Sequence, residues 1–150
     1  MTYKLKRFEQ LTLDELYAIL KSRVEVFVVE QTCPYPEVDG LDPDCLHLFQ
    51  EQDGEILSYC RLIPKNLRYQ YPSIGRILVH PNHRKSNYGR KLVQEAIRVL
   101  ETETKDPIII HAQVYLLSFY QSLGFEAITE AYLEDGILHR DMLRQPQGKG

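Results

Sequence analysis

The chain has 150 residues, 43% hydrophobic and 26% charged, with a formal net charge of −3. A chain of this length forms one domain and buries about 68–70% of its unfolded surface without a disulfide or metal staple. The composition excludes a disordered or fibrous chain, and the slightly acidic balance argues against general nucleic-acid binding.

Residues 3–8 alternate enough for a short first strand. Thr12-Leu-Asp-Glu15 sets a hydroxyl three residues before a carboxylate, a capping box that opens a helix. Leu13, Leu16, Tyr17, Leu20, Val24, Phe27 and Val28 then form one apolar stripe of a helix of about 16–18 residues. Residues 32–43 hold Pro34, Pro36, Pro43 and Gly40 and read as a loop. Strands follow over 46–51 and 55–63, around the turn Gln52-Asp53-Gly54, and over 74–79, stopped by Pro81. Residues 89–103 form an amphipathic helix with Leu92, Val93, Ala96, Ile97 and Leu100 on one face. The β-branched run at 108–112 predicts a buried central strand. Leu116, Phe119, Tyr120 and Leu123 give a short helix that Gly124 ends. Strands at 125–132 and 137–143 flank Glu134-Asp135-Gly136, and residues 145–150 read as a frayed tail. The order β-α-β-β-β-α-β-α-β-β predicts an α/β (α+β) domain, a mixed sheet with helices on its faces.

No apolar run reaches the roughly 18–20 residues of a transmembrane helix, and the N-terminal segment lacks the apolar core of a secretion signal. Cys33, Cys45 and Cys60 form no CxxC pair and fit reduced thiols, so a cytoplasmic protein without a membrane partner is expected. Charge is unevenly spread. Residues 30–60 carry eight acids and no Lys or Arg, whereas residues 61–98 carry nine Lys or Arg and one acid, Glu95. Solvated faces give such a pattern, and so does one region for a cation beside another for an anion.

The most informative stretch is IGRILVHPNHRKSNYGRKLVQEAI, residues 74–97, which runs strand, basic turn, helix N-terminus. Arg84, Lys85, Ser86, Asn87, Tyr88 and Gly89 form the turn, and Arg90 and Lys91 open the helix. A helix N-terminus presents unpaired N–H groups and about half a positive charge, so it binds phosphates. Gly89 lets a ligand approach the backbone, and Asn87 is among the few side chains that accept a positive φ. The phosphate-loop pattern GxxxxGK[ST] and the dinucleotide pattern GxGxxG are both missing.

This arrangement resembles the GCN5-related N-acetyltransferase (GNAT) superfamily, whose [QR]xxGx[GA] turn wraps the pyrophosphate of acetyl-coenzyme A. Here the six positions run from Arg84 to Gly89, with Asn87 in place of the inner glycine. A second signature, a short helix ending Tyr-x-x-x-Gly-Phe, is matched by Tyr120, Gly124 and Phe125, and the family's frequent Asn seven residues earlier is Gln113. Arg23-Val-Glu-Val-Phe-Val-Val-Glu-Gln31, with Cys33-Pro-Tyr35 and Glu37-Val-Asp-Gly40, resembles the bacterial ElaA-type branch. The resemblance covers nearly the whole chain, making residues 1–150 a single N-acetyltransferase domain with the GNAT fold, a mostly antiparallel mixed sheet with helices on both faces. It implies acetyl transfer by direct attack from acetyl-coenzyme A to an amine of a small molecule or peptide. The pantetheine arm would pair with the strand edge at Ile77, Leu78 and Val79. The pyrophosphate would lie on Arg84, Lys85, Asn87, Tyr88, Gly89 and Arg90, near Gln113. The Val79 N–H would polarise the thioester carbonyl and Tyr120 would protonate the leaving thiolate. On periodicity alone Tyr120 reads rather as a core aromatic of the Leu116, Phe119 and Leu123 stripe; the Tyr-x-x-x-Gly-Phe context favours the acid.

The general base is less marked. Glu30, at the end of the first helix, and His111, in the strand before Tyr120, are the candidates, with His80 a third. Glu37, Asp39, Asp42 and Asp44 would attract a cationic acceptor or simply stay solvated. No metal is expected: DGLDPD lacks the last ligand of a calcium loop, Gln50 standing there, and His80-x-x-His83 lacks further zinc ligands. Cys33 with His47 as base has no supporting local signature. A coenzyme-binding sensor or scaffold without turnover is the alternative, and a homodimer stays open.

Overall fold

A computed structural model describes residues 2–146; residues 147–150 of the expected tail lie outside the described residues. Strands β1 (Lys4–Arg7), β2 (Leu46–Gln52), β3 (Glu55–Ile63), β4 (Ser73–Val79), β5 (Ile108–Gln113), β6 (Glu126–Ala127), β7 (Tyr132–Glu134) and β8 (Ile137–Arg144) form one sheet. The order is β1-β2-β3-β4-β5-β8-β6, with β7 also on β8. Every pairing is antiparallel except β4 with β5. Helices α2 (Tyr88–Glu103) and α3 (Leu117–Gln121) cover one face, and α1 (Leu13–Arg23) covers the other. This is the mixed α/β sheet expected from the element order, and it is mostly antiparallel, as the family resemblance implies.

The two cores follow from the strand period of two. Leu48, Cys60, Leu62 and Ile110 pack with Leu92, Val93 and Ala96 of α2. Phe49, Tyr59 and Leu78 point the other way, onto Ile19 and Val26. β5 is not buried on both faces: Ile108, Ile110 and Ala112 are buried, whereas Ile109, His111 and Gln113 are half-buried on the opposite side.

The first helix departs from its apolar stripe. Its capping box is present, with the Glu15 N–H donating to Thr12 Oγ1 at 3.0 Å and the Thr12 N–H donating to Glu15 Oε1 at 2.9 Å. The buried residues, however, are Glu15, Ile19, Arg23 and Val26, while Leu13 is 85% and Tyr17 69% exposed. Two polar groups take the inward positions because both find charged partners there. Glu15 receives Lys4 and Lys6, and burial, which opposes its charge, is outweighed by Lys6, the Thr12 N–H and Lys4, holding the carboxyl down to about 2. Beyond Arg23 the helix widens into a π-helical segment, Val24–Glu30, and the Cys33 N–H reaches back to the Val28 carbonyl at 3.0 Å. Such segments are rare and often accompany functional sites.

The strand expected over residues 125–132 is divided into β6 and β7. Thr129 explains the break: its hydroxyl accepts from the Asp141 N–H at 3.0 Å and its carbonyl accepts from Arg140 Nε at 2.8 Å, replacing the regular ladder.

Candidate active site

Two features of β4 open the site. Its register against β3 shifts between Tyr59 and Arg61, and Arg76 adopts φ +50°, a bulge that bends the strand. Its parallel pairing with β5 consists of Ser73 opposite Ile109. Beyond that pair the strands diverge, leaving the β4 edge open along Ile77, Leu78 and Val79. A cavity of about 530 Å³ fills the gap. The three β4 residues line it with His111 and Gln113 of β5, and with Tyr120 of α3; Glu30, Arg84 and Gly89 reach it as well.

The turn before α2 takes the conformation an anion site needs. Asn87 is left-handed, with φ +61°, at the N-cap of α2, where no side chain caps the helix and no acid occupies the first turn. A Cβ built on Gly89 meets only Val79 Cγ2, at 3.6 Å, so the fold tolerates a side chain there and the open space faces the cavity. Arg84 Nε donates to the Val79 carbonyl at 3.1 Å, and its guanidinium grips Glu30. Arg90 donates to Ser122 Oγ at 2.9 Å and stacks over Phe119. Lys85, Asn87, Tyr88 and Arg90 stand off the cavity wall, on the turn that flanks it. An open strand edge leading to a basic turn and an uncapped helix suits a cosubstrate with a peptide-like arm and a pyrophosphate.

The groups for proton transfer are dispersed around this cavity. Tyr120 is 6% exposed, and burial pushes its hydroxyl well above the usual phenol value, so it stays protonated. Hydrogen bonding from Arg84 holds the Glu30 carboxyl below its usual range, against the opposing effect of burial. His111 is held below the usual imidazole value by burial, against Asp141 and Glu134. Its Nε2 lies 3.3 Å from Asp141 Oδ1, and its Nδ1 lies 3.4 Å from Tyr69 Oη and 3.9 Å from Glu134 Oε1. His80 is off the wall, with Nδ1 accepting from the Asn82 N–H at 3.1 Å.

Tyr69, Glu134, His139 and Asp141 escaped the sequence reading. Asp141 faces His111 because the two are register partners on β8 and β5, a long-range pairing without a local motif.

Three of the four loop acids are neither solvated nor free to attract a cation. Glu37, Asp39 and Asp42 close a ring with arginines from α1, β3 and β4. Arg23 reaches Glu37 at 2.7 Å and Asp42 at 2.7 Å; Arg61 reaches Asp42 at 2.9 Å and Asp39 at 2.5 Å; Arg76 reaches Asp39 at 3.4 Å and Glu37 at 2.7 Å. Of the four acids, Asp44 alone remains exposed. His47 is tied to Tyr59 Oη at 2.7 Å and the Asp42 carbonyl at 3.0 Å, and the three cysteines are buried and form no disulfide, Cys33 Sγ donating to the Asp135 carbonyl at 3.4 Å. Among the described residues no cluster of three metal-binding side chains occurs, and no helix is long and apolar enough to cross a membrane.

A domain signature described as an acetyltransferase (GNAT) domain matches residues 15–145. A UPF0039 protein of Schizosaccharomyces pombe is 43% identical over 140 residues, covering 91% of this chain and 92% of the relative. The crystal structure of Escherichia coli ElaA superposes with TM-score 0.89 at 35% identity, covering 97% of this chain and 100% of that one. An acyl-CoA N-acyltransferase of Pseudomonas aeruginosa superposes with TM-score 0.90 at 42% identity, over 95% and 98% of the two chains.

Proposed function

The chain belongs to the GNAT acetyltransferase family, and we propose that it transfers an acetyl group from acetyl-coenzyme A to an amine of a small molecule or peptide by direct attack. The observation that carries this reading is the divergence of β4 from β5, which leaves an open strand edge running toward the uncapped N-terminus of α2. The pantetheine amides pair with Ile77, Leu78 and Val79. The pyrophosphate rests on the turn from Arg84 to Arg90, with Arg84, Lys85 and Arg90 supplying charge and the backbone of Asn87, Tyr88 and Gly89 supplying shape and N–H donors. Gln113 offers its amide to the same arm.

The Val79 N–H polarises the thioester carbonyl as negative charge grows on its oxygen. Tyr120 keeps its proton until a thiolate departs beside it, and then donates. Glu30 and His111 both reach the cavity as candidate acceptors of the amine's proton. The reading requires no metal and fits a cytoplasmic enzyme.

Calorimetry with coenzyme A, followed by thiol release from acetyl-coenzyme A across a panel of primary amines, tests it. Binding with thiol release is expected. Absence of coenzyme A binding would overturn the reading, and binding without release from any amine would make the protein a coenzyme-binding module.

A further inference from the structure

The cavity has a second end, away from the phosphate turn, and its polar groups are arranged rather than scattered. His111, Tyr69, Glu134 and His139 line it, whereas Asp141 and Tyr132 stand behind the wall. We propose that this end is the acceptor site: a primary ammonium docks between Glu134 and Tyr69 and loses its proton to Nδ1 of His111, which Asp141 orients from behind. The proposal rests on the acetyl-transfer reading above.

Strand register builds the pair. His111 and Asp141 are direct partners across β5 and β8, so their side chains share a face. Asp141 is fixed on three sides. Its N–H donates to Thr129 Oγ1 at 3.0 Å, its carbonyl accepts from the Ile128 N–H at 2.9 Å, and the Tyr132 hydroxyl donates to its carboxylate. A neutral imidazole has one N–H and one lone pair. The carboxylate 3.3 Å from Nε2 selects the N–H there, which leaves the lone pair on Nδ1. Nδ1 lies toward Tyr69 and Glu134, which both line the cavity, and Tyr69 Oη at 3.4 Å is a loose partner that an amine displaces.

The charges around the ring suit this task. Tyr69 and Arg68 face it from the segment after β3, Tyr132 and Glu134 from β7, and His139 and Asp141 from β8. Burial keeps His111 neutral at neutral pH, and the two carboxylates compensate the imidazolium once the proton arrives. Glu134, 41% exposed at its side chain, has no Lys or Arg partner among the described residues and stays available to an incoming cation. Protons balance over the reaction. The ammonium gives one proton to His111 and thence to solvent. The freed lone pair forms the C–N bond, the C–S bond breaks, and the sulfur takes its proton from Tyr120. The second amine proton, released as the amide forms, replaces it.

Nitrogen NMR of imidazole-labelled protein tests the arrangement without needing the natural acceptor, His111 being assigned by its loss in His111→Gln. The neutral form is expected to carry its proton on Nε2, and n-butylammonium is expected to perturb the Nδ1 resonance. Asp141→Asn should redistribute the tautomers and lower the titration midpoint. Glu134→Gln should keep the tautomer and weaken the n-butylammonium response by up to about fivefold, the worth of one partly exposed charge pair. A proton on Nδ1 in the wild-type protein, or a His111 signal indifferent to n-butylammonium, would overturn the inference even if Asp141→Asn failed to fold. Coenzyme A calorimetry separates the two readings. A protein that binds no coenzyme A fails as an acetyltransferase whatever its tautomer. One that binds coenzyme A but carries the proton on Nδ1 fails only here.

Discussion

Arg84 and Glu30 meet fork to carboxylate, with Nη1 to Oε2 at 2.5 Å and Nη2 to Oε1 at 2.7 Å. The pair joins the phosphate turn to the end of the π-helical segment. On the proposed reading a pyrophosphate on that turn competes with Glu30 for the same guanidinium, so the two residues are expected to oppose each other in cofactor binding. Arg84→Gln is expected to weaken coenzyme A by about tenfold or more, as loss of a charge-assisted hydrogen bond does. Glu30→Gln is expected to leave affinity unchanged or tighten it by up to about fivefold, the pair being half-exposed. Calorimetry of both variants checks the opposite signs.

Gly89→Glu separates affinity from folding. The new Cβ meets only Val79 Cγ2, at 3.6 Å, and an acid in a first helical turn favours the helix dipole. The variant should therefore melt within a few degrees of the parent while losing most of its affinity for coenzyme A. Unchanged affinity in the folded variant would move the pyrophosphate elsewhere.

Tyr120→Phe removes one hydroxyl and keeps the ring packed against Phe119 and Phe125. Turnover should drop about 10²–10⁴-fold, the usual contribution of a general acid, with coenzyme A affinity held within about twofold. Equal single-turnover rates in the two forms would leave Tyr120 a packing residue.

Acid should weaken the fold in stages. His47 is held below 6.5, chiefly by burial, so the unfolded chain binds its proton first and stability declines as pH falls from about 6.5. Glu15 sits at about 2 when folded against 4.5 unfolded, so its contribution is complete above 4.5 and is lost as pH falls toward 2. Asp42 is also lowered, its two arginines outweighing the effect of burial, and it acts in the same direction. Urea midpoints across this range should decline throughout; a flat profile below pH 6 would contradict the assigned partners.

Arg23→Met tests the buried ring of charges. The guanidinium is fully buried and holds Glu37 and Asp42, both nearly inaccessible. Its loss leaves two carboxylates short of charge, at a cost of about 3–5 kcal/mol. Chemical denaturation measures this directly.

Much of the fold was legible because it is written locally. The turn at Asp53 and Gly54 bounds β3 where the pattern placed it, and the Thr12–Glu15 box opens α1. Asn87 takes the left-handed conformation its side chain permits. What escaped depends on partners distant in sequence. The apolar stripe of α1 misplaced the inner face because Arg23 is solvated by carboxylates from a loop that follows it, information no helical period contains. Asp141 was invisible for a similar reason: its meaning lies in a cross-strand register with His111.

The closed ring of Arg23, Glu37, Arg76, Asp39, Arg61 and Asp42 also bears on how this molecule can change over generations. Each member serves two neighbours, so the ring has no terminal link at which substitution can start cheaply. A lineage that loses one charge inherits an uncompensated opposite charge indoors, and returns to fitness by reversion or by a second change at a ring neighbour. The six positions should therefore drift as a block while the exposed Leu13 and Tyr17 drift singly, and the spacing of residues 37 to 42 should resist insertion because three of its side chains belong to one circuit.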